Sequence, residues 1–159
     1  MSIVAKISEI IIDEKSLEQT TQGASVSGNI YWQFDDYYFP EQNWYDYVSP
    51  LLMWWSTSII EVLSGSCEKA TLLFMDGPQK IIIRAKDADT IIFECYRSDI
   101  QECPIHVFNV DIKILLRRMI LTMTRFVEWF YRQDFSFDDS LKGEIDQIKE
   151  NAEKFKRMG

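Results

Sequence analysis

The spacing of apolar and polar residues changes several times along the chain, and each change predicts an element. Ala24–Phe34 alternates cleanly. Val26, Gly28, Ile30, Trp32 and Phe34 share one side, and Ser25, Ser27, Asn29, Tyr31 and Gln33 the other. A period of two predicts a strand with one face in the core. Ahead of it, Ile3–Asp13 is dense in β-branched residues and predicts one strand, and the polar stretch Glu14–Ser25 predicts a loop. Asp35-Asp36 breaks the alternation, and Pro40 bars a helix and biases Phe39 to an extended conformation. A helix is predicted next, with Ser49 as its cap and Pro50 at its first position, where a missing N–H is harmless. From Leu51 to about Leu63, Leu51, Leu52, Trp54, Trp55, Ile59, Val62 and Leu63 cover most of the helix surface, which predicts heavy burial. Ser64-Gly65 ends it.

Strand signals then return. Thr71–Met75 and Gln79–Arg84 flank the turn Asp76-Gly77-Pro78, Thr90–Tyr96 follows Asp87-Ala-Asp89, and a last strand runs from about Cys103 to Val110. Short turns between consecutive strands predict an antiparallel meander. In Asp111–Arg132 apolar residues recur every three or four positions, while Lys113, Arg117, Arg125 and Arg132 lie mainly off that stripe. This predicts an amphipathic helix capped by Asp111. Asp134–Phe137 turns the chain, and Asp138 or Asp139 caps a final helix reaching about Arg157 with a narrow stripe of Leu141, Ile145, Ile148, Ala152 and Phe155. The sum is an α+β fold: a mostly antiparallel sheet of about six strands and about three helices, in the order β-β-α-β-β-β-β-α-α.

Composition narrows this picture. The chain has 159 residues, which fits a single domain over 1–159 with one core. Its formal charge is −8, which disfavours nucleic acid as a partner, since phosphate contacts need a basic surface. Residues 1–50 carry Glu9, Asp13, Glu14, Glu18, Asp35, Asp36, Glu41 and Asp46 against only Lys6 and Lys15, so the surplus predicts an acidic face. Cys67, Cys95 and Cys103 form no CxxC pair and suggest neither a disulfide framework nor a zinc site, and Cys95 reads as a buried thiol. The N-terminus lacks a basic start with a long apolar run, and no apolar run approaches the ~20 residues of a membrane span. A cytoplasmic protein without membrane contact is the expectation.

Catalytic patterns are missing. His106 is the only histidine and has no nucleophile motif beside it. Asp35-Asp36 and Asp138-Asp139 could in principle hold a metal, but neighbours on a strand point apart and an acidic pair at a helix start is accounted for by capping. The expectation is a protein with no catalytic residue, metal or cofactor.

Residues 37–55 hold three of the five tryptophans and four of the seven tyrosines. Trp44, Trp54 and Trp55 read as core. Four tyrosines beside four carboxylates cannot all be buried, and exposed tyrosine with acid is the composition of a protein-binding surface. The predicted contact set is Asp35, Asp36, Tyr37, Tyr38, Glu41, Tyr45, Asp46 and Tyr47.

The segment Tyr37-Tyr-Phe-Pro-Glu-Gln-Asn-Trp-Tyr-Asp-Tyr-Val, the following Leu-Met-Trp-Trp, and Phe74-Met-Asp-Gly-Pro78 together resemble a family of immunity proteins from bacterial polymorphic and contact-dependent toxin systems. The resemblance covers about residues 25–95. Tyr47 stands where phenylalanine is more usual, and no functional residue is carried over. The resemblance implies a protein that neutralises a cognate toxin domain by binding it. An acidic surface would suit a basic toxin, a nuclease included, whose substrate groove would accept carboxylates as it accepts phosphates. Self-association, as a homodimer or a structural or regulatory module, is the alternative.

Overall fold

The computed structural model describes residues 2–20, 24–134 and 138–159. Residues 21–23 of the predicted loop and 135–137 of the predicted turn lie outside them. The fold is α+β, with three α-helices and two sheets among the described residues.

The larger sheet has five strands: β1 (Ser2–Ala5), β7 (Lys69–Leu73), β8 (Lys80–Ala85), β9 (Thr90–Tyr96) and β10 (His106–Asp111), in the order β1-β10-β9-β8-β7. β7 to β10 form the antiparallel meander read from the turns. β1 joins its edge parallel to β10, Ser2 opposite Val107 and Ala5 opposite Val110.

The smaller sheet is organised around the long strand β4 (Val26–Phe34). Along one edge lie β2 (Ser8–Ile12) and the two-residue β3 (Glu18–Gln19), with a 3-10 turn at Glu14–Ser16 between them. Along the other lie β5 (Tyr37–Phe39) and β6 (Tyr45–Tyr47), so the aromatic segment is itself strand. Gly28 is required here, because a Cβ would stand 2.8 Å from the Leu17 side chain and 3.1 Å from its Cα.

Two of these features correct the sequence reading. The single strand predicted over Ile3–Asp13 is two strands in different sheets. The break falls at Lys6-Ile7, whose N–H groups both donate to Asp35 Oδ1 at 2.9 Å, while Asp35 N–H donates back to the Ile7 carbonyl. A side chain 28 residues away captures the two donors, and nothing local signals it. The first helix, α1 (Val48–Leu63), starts earlier than expected, with Tyr47 at its cap position and no side-chain cap. Ser49 Oγ instead accepts from Val26 N–H and donates to Glu144. Pro50 falls in the first turn, where helical N–H groups lack intrahelical partners anyway.

α2 (Ile112–Arg132) and α3 (Asp139–Met158) match their predicted spans, capped by Asp111 and Asp138 through their carboxylates. The inward side of β4 meets the inward side of the larger sheet through ring contacts: Trp32 on Phe93 at 5.0 Å, Phe34 on Phe93 at 5.4 Å and Phe34 stacked on Phe108 at 4.4 Å. α1 packs on β7, β8 and β4, α2 lies against β2 and β10, and α3 lies across α1 and α2. The buried apolar residues of this arrangement join one core cluster, with Tyr31, Ile92 and Tyr96 outside it. Trp55 is fully buried and donates its Nε1–H to the Leu73 carbonyl at 2.8 Å, whereas Trp54 is 47% exposed. Trp54 is therefore not the core residue predicted: one turn of α1 cannot turn two adjacent rings to the same sheet. Cys95 is buried as expected, and burial pushes its thiol pKa up.

Candidate functional site

The register of the smaller sheet sorts the predicted contact residues by face, because residues directly paired across strands point to the same side. Tyr38 pairs with Gln33, Tyr45 with Asn29 and Tyr47 with Ser27, all outward. Glu18 also pairs with Ser27 and joins them. Tyr45 is 51% exposed and Tyr47 45% exposed. The Tyr45 hydroxyl donates to the Glu18 carboxylate across β4. That bond, aided by desolvation, raises the Tyr45 pKa above the ordinary tyrosine value. Tyr38 meets Tyr31 edge-on at 5.7 Å, leaving Tyr31 buried beneath it. Asp36 and Glu41 are exposed in the loops bracketing β5. The strands of this sheet contain no lysine or arginine.

Three of the eight predicted residues have other work. Asp46 pairs with Gly28 and points inward, where it is 4% exposed. Its carboxylate accepts from Trp44 Nε1 at 2.9 Å, from Tyr47 N at 2.7 Å and from Met75 N at 3.1 Å. It ties β6 to the hairpin after β7, which makes it a structural acid. Asp35 sits in the left-handed region at φ 55°, a conformation aspartate tolerates, and its Oδ1 holds the Lys6-Ile7 break. Tyr37 faces inward opposite Phe34, its ring 4.3 Å from that of His106, and its hydroxyl accepts from Arg97 Nη2 at 3.2 Å. Burial raises its pKa despite the Arg97 charge. Arg97 also lies over the Phe39 ring at 5.0 Å and donates to the Pro40 carbonyl. It thus anchors β5 to the larger sheet, a role no sequence pattern signalled. His106 is accounted for by this ring stack.

The outward residues border a groove of about 620 Å³ between β3, β6 and the hairpin after β7. Glu18, Tyr45, Tyr47, Met75 and Asp76 line it, and Met75 is 49% exposed. Glu18, Met75 and Asp76 were missed as site residues. The sequence puts Glu18 in a polar loop, and only its pairing with Ser27 places it beside the tyrosines. The sequence puts Met75 at the end of a strand and Asp76 in the turn that follows, and neither position signals the groove. A flat, open groove with hydroxyls, carboxylates and a thioether presents contact area and hydrogen-bond partners for another macromolecule.

At one end of this sheet Glu144 on α3 accepts from Ser49 at 2.6 Å and from Ser25 at 3.3 Å. Desolvation raises its pKa above the ordinary carboxylate value of 4.5, against the lowering effect of the two hydroxyls. Among the described residues no three His, Cys, Asp or Glu side chains converge as a metal site would need, and no helix is long and apolar enough to cross a membrane. No protein-family model matches the chain, no curated protein is similar to it, and no solved structure matches it.

Proposed function

We propose that this chain is an immunity-type protein that neutralises a cognate toxin domain, of basic character, by occupying its surface. The observation that carries the reading is the outward face of the smaller sheet. Tyr38, Tyr45 and Tyr47 stand there with Glu18, the exposed Asp36 and Glu41 lie in the loops bracketing β5, and the strands of this sheet carry no cation. Tyrosine offers large contact area with few torsions to freeze, and carboxylates pair with arginine and lysine and steer a basic partner on approach. The contact set becomes Glu18, Asp36, Tyr38, Glu41, Tyr45 and Tyr47. Asp35, Tyr37 and Asp46 support it from behind. Inhibition follows from blocking the toxin's active or partner site, and this chain makes or breaks no bond.

The test is calorimetric titration against the product of the gene adjoining this chain's, with Glu18→Lys, Asp36→Lys and Glu41→Lys combined. Affinity should fall and the dependence on salt should flatten. Unchanged binding by the triple variant, with the fold intact, would place the toxin elsewhere and defeat the reading.

A further inference from the structure

The outward face of the larger sheet is the opposite of the face just described. The helices and β4 approach the sheet on its inward side, through Leu72, Ile81, Ile83, Phe93, Phe108 and Val110, all buried. The other side carries Lys69, Lys80 and Arg84 against Glu94, which ion-pairs with Arg84 at 3.2 Å, and Asp111, whose carboxylate is taken up capping α2, so Lys69 and Lys80 are the cations left to a partner. Leu73, paired with Lys80, is 55% exposed, and Val4 at the far edge on β1 is 76% exposed. The outward strand positions thus keep a small cationic excess, carried by Lys69 and Lys80, beside apolar surface in a chain of net charge −8. Tyr96 is buried under the Lys80 ammonium, 5.4 Å from its ring, so no free aromatic surface is left there to stack nucleic-acid bases. The face suits an acidic protein surface.

We infer that this face docks a second copy of the chain, through that copy's outward small-sheet face, in a head-to-tail contact. Charge complementarity selects the occupant. Two copies joined through the same basic face would oppose Lys69 and Lys80 to themselves. The acidic tyrosine face meets them with Glu18, Asp36 and Glu41, and offers rings to lysine. Because the two sheets meet by their inward sides, the two docking faces look in opposite directions, so the contact repeats without closing. Five strands about 4.8 Å apart and about five residues long give roughly 400 Å² of face, well under the ~800 Å² per partner of a standard stable interface. The association is weak and reversible. It shares its acidic face with the toxin-binding reading but does not depend on it.

Sedimentation of the full chain alone, at about 1 mM protein in low salt, tests this. The average mass should climb with concentration past twice the 18.8 kDa monomer without a plateau, and return to the monomer at high salt. Lys69→Ala with Lys80→Ala should stay monomeric, as should Glu18→Ala with Glu41→Ala. Mixed, these two variants should form a 1:1 complex that grows no further, since each retains one competent face. A wild-type chain that stays monomeric, a mass that levels at a dimer, growth that ignores both variants, or a mixture that fails to pair would each overturn the inference. Toxin titration is a separate measurement, so the failure of either reading leaves the other standing.

Discussion

The two outward sheet faces are built by the same alternation of side chains and end with opposite characters. On the smaller sheet the outward positions hold tyrosines and acids, and the polar ends find partners within the face: Tyr45 on Glu18, Tyr38 against Tyr31. On the larger sheet they hold lysine, arginine and aliphatic residues. There long cations shield what lies beneath, with Arg84 on Glu94 at 3.2 Å and Lys80 over Tyr96. The inward sides are nearly alike, both aromatic and apolar and sealed against each other. Burial therefore dictates one side of each strand, and the solvent side is left free to carry a message. That freedom makes the outward residues the place to look for function.

The comparison breaks most sharply at Asp46, an acid of the aromatic segment that faces the wrong way for binding. Asp46→Ala leaves three donors unpaired in a buried place and should cost about 3–5 kcal/mol in urea unfolding. A change below about 1 kcal/mol would return Asp46 to the binding face. Next in size, the Glu18→Lys, Asp36→Lys, Glu41→Lys variant should lose tenfold to a hundredfold in affinity for the proposed toxin partner, about 1.4–2.8 kcal/mol. Its unfolding free energy should move by only about 1 kcal/mol, mostly from the lost Tyr45–Glu18 bond. Leu73→Asp on the opposite face should change stability by about 0.5 kcal/mol or less and leave toxin binding untouched. Weakened toxin binding in that variant would show that the two faces do not divide the work.

The smallest effect concerns an acid that belongs to neither face. Desolvation holds Glu144 above the ordinary value of 4.5, so the folded chain keeps a proton that the unfolded chain releases. Ionising it therefore weakens folding as pH rises from about 4.5 through the raised value. Glu144→Gln removes that loss while its amide oxygen can still accept from Ser25 and Ser49. Its stability relative to the parent should be greater at pH 7 than at pH 4 in paired urea titrations. A difference constant over that range would remove Glu144 from the pH dependence.

What could be read in the chain itself were features governed by neighbours in sequence. The meander of β7–β10 followed from Asp76-Gly77 and Asp87-Ala-Asp89 turns, and α2 and α3 from apolar stripes bounded by Asp111 and Asp138. The sided alternation of β4 and the burial of Cys95 were legible for the same reason: period and capping act over a few residues. An acidic, aromatic region at 35–47 was legible as composition. Which of its members face solvent was not. Asp35 is held by N–H groups from 28 and 29 residues away, Asp46 by Met75, Tyr37 by Arg97 and Tyr45 by Glu18. A one-position difference in strand pairing turns a side chain to the opposite face. Only the tertiary structure could therefore separate Tyr38, Tyr45 and Tyr47 from Asp46, split Ile3–Asp13 between two sheets, and set an acidic face against a basic one.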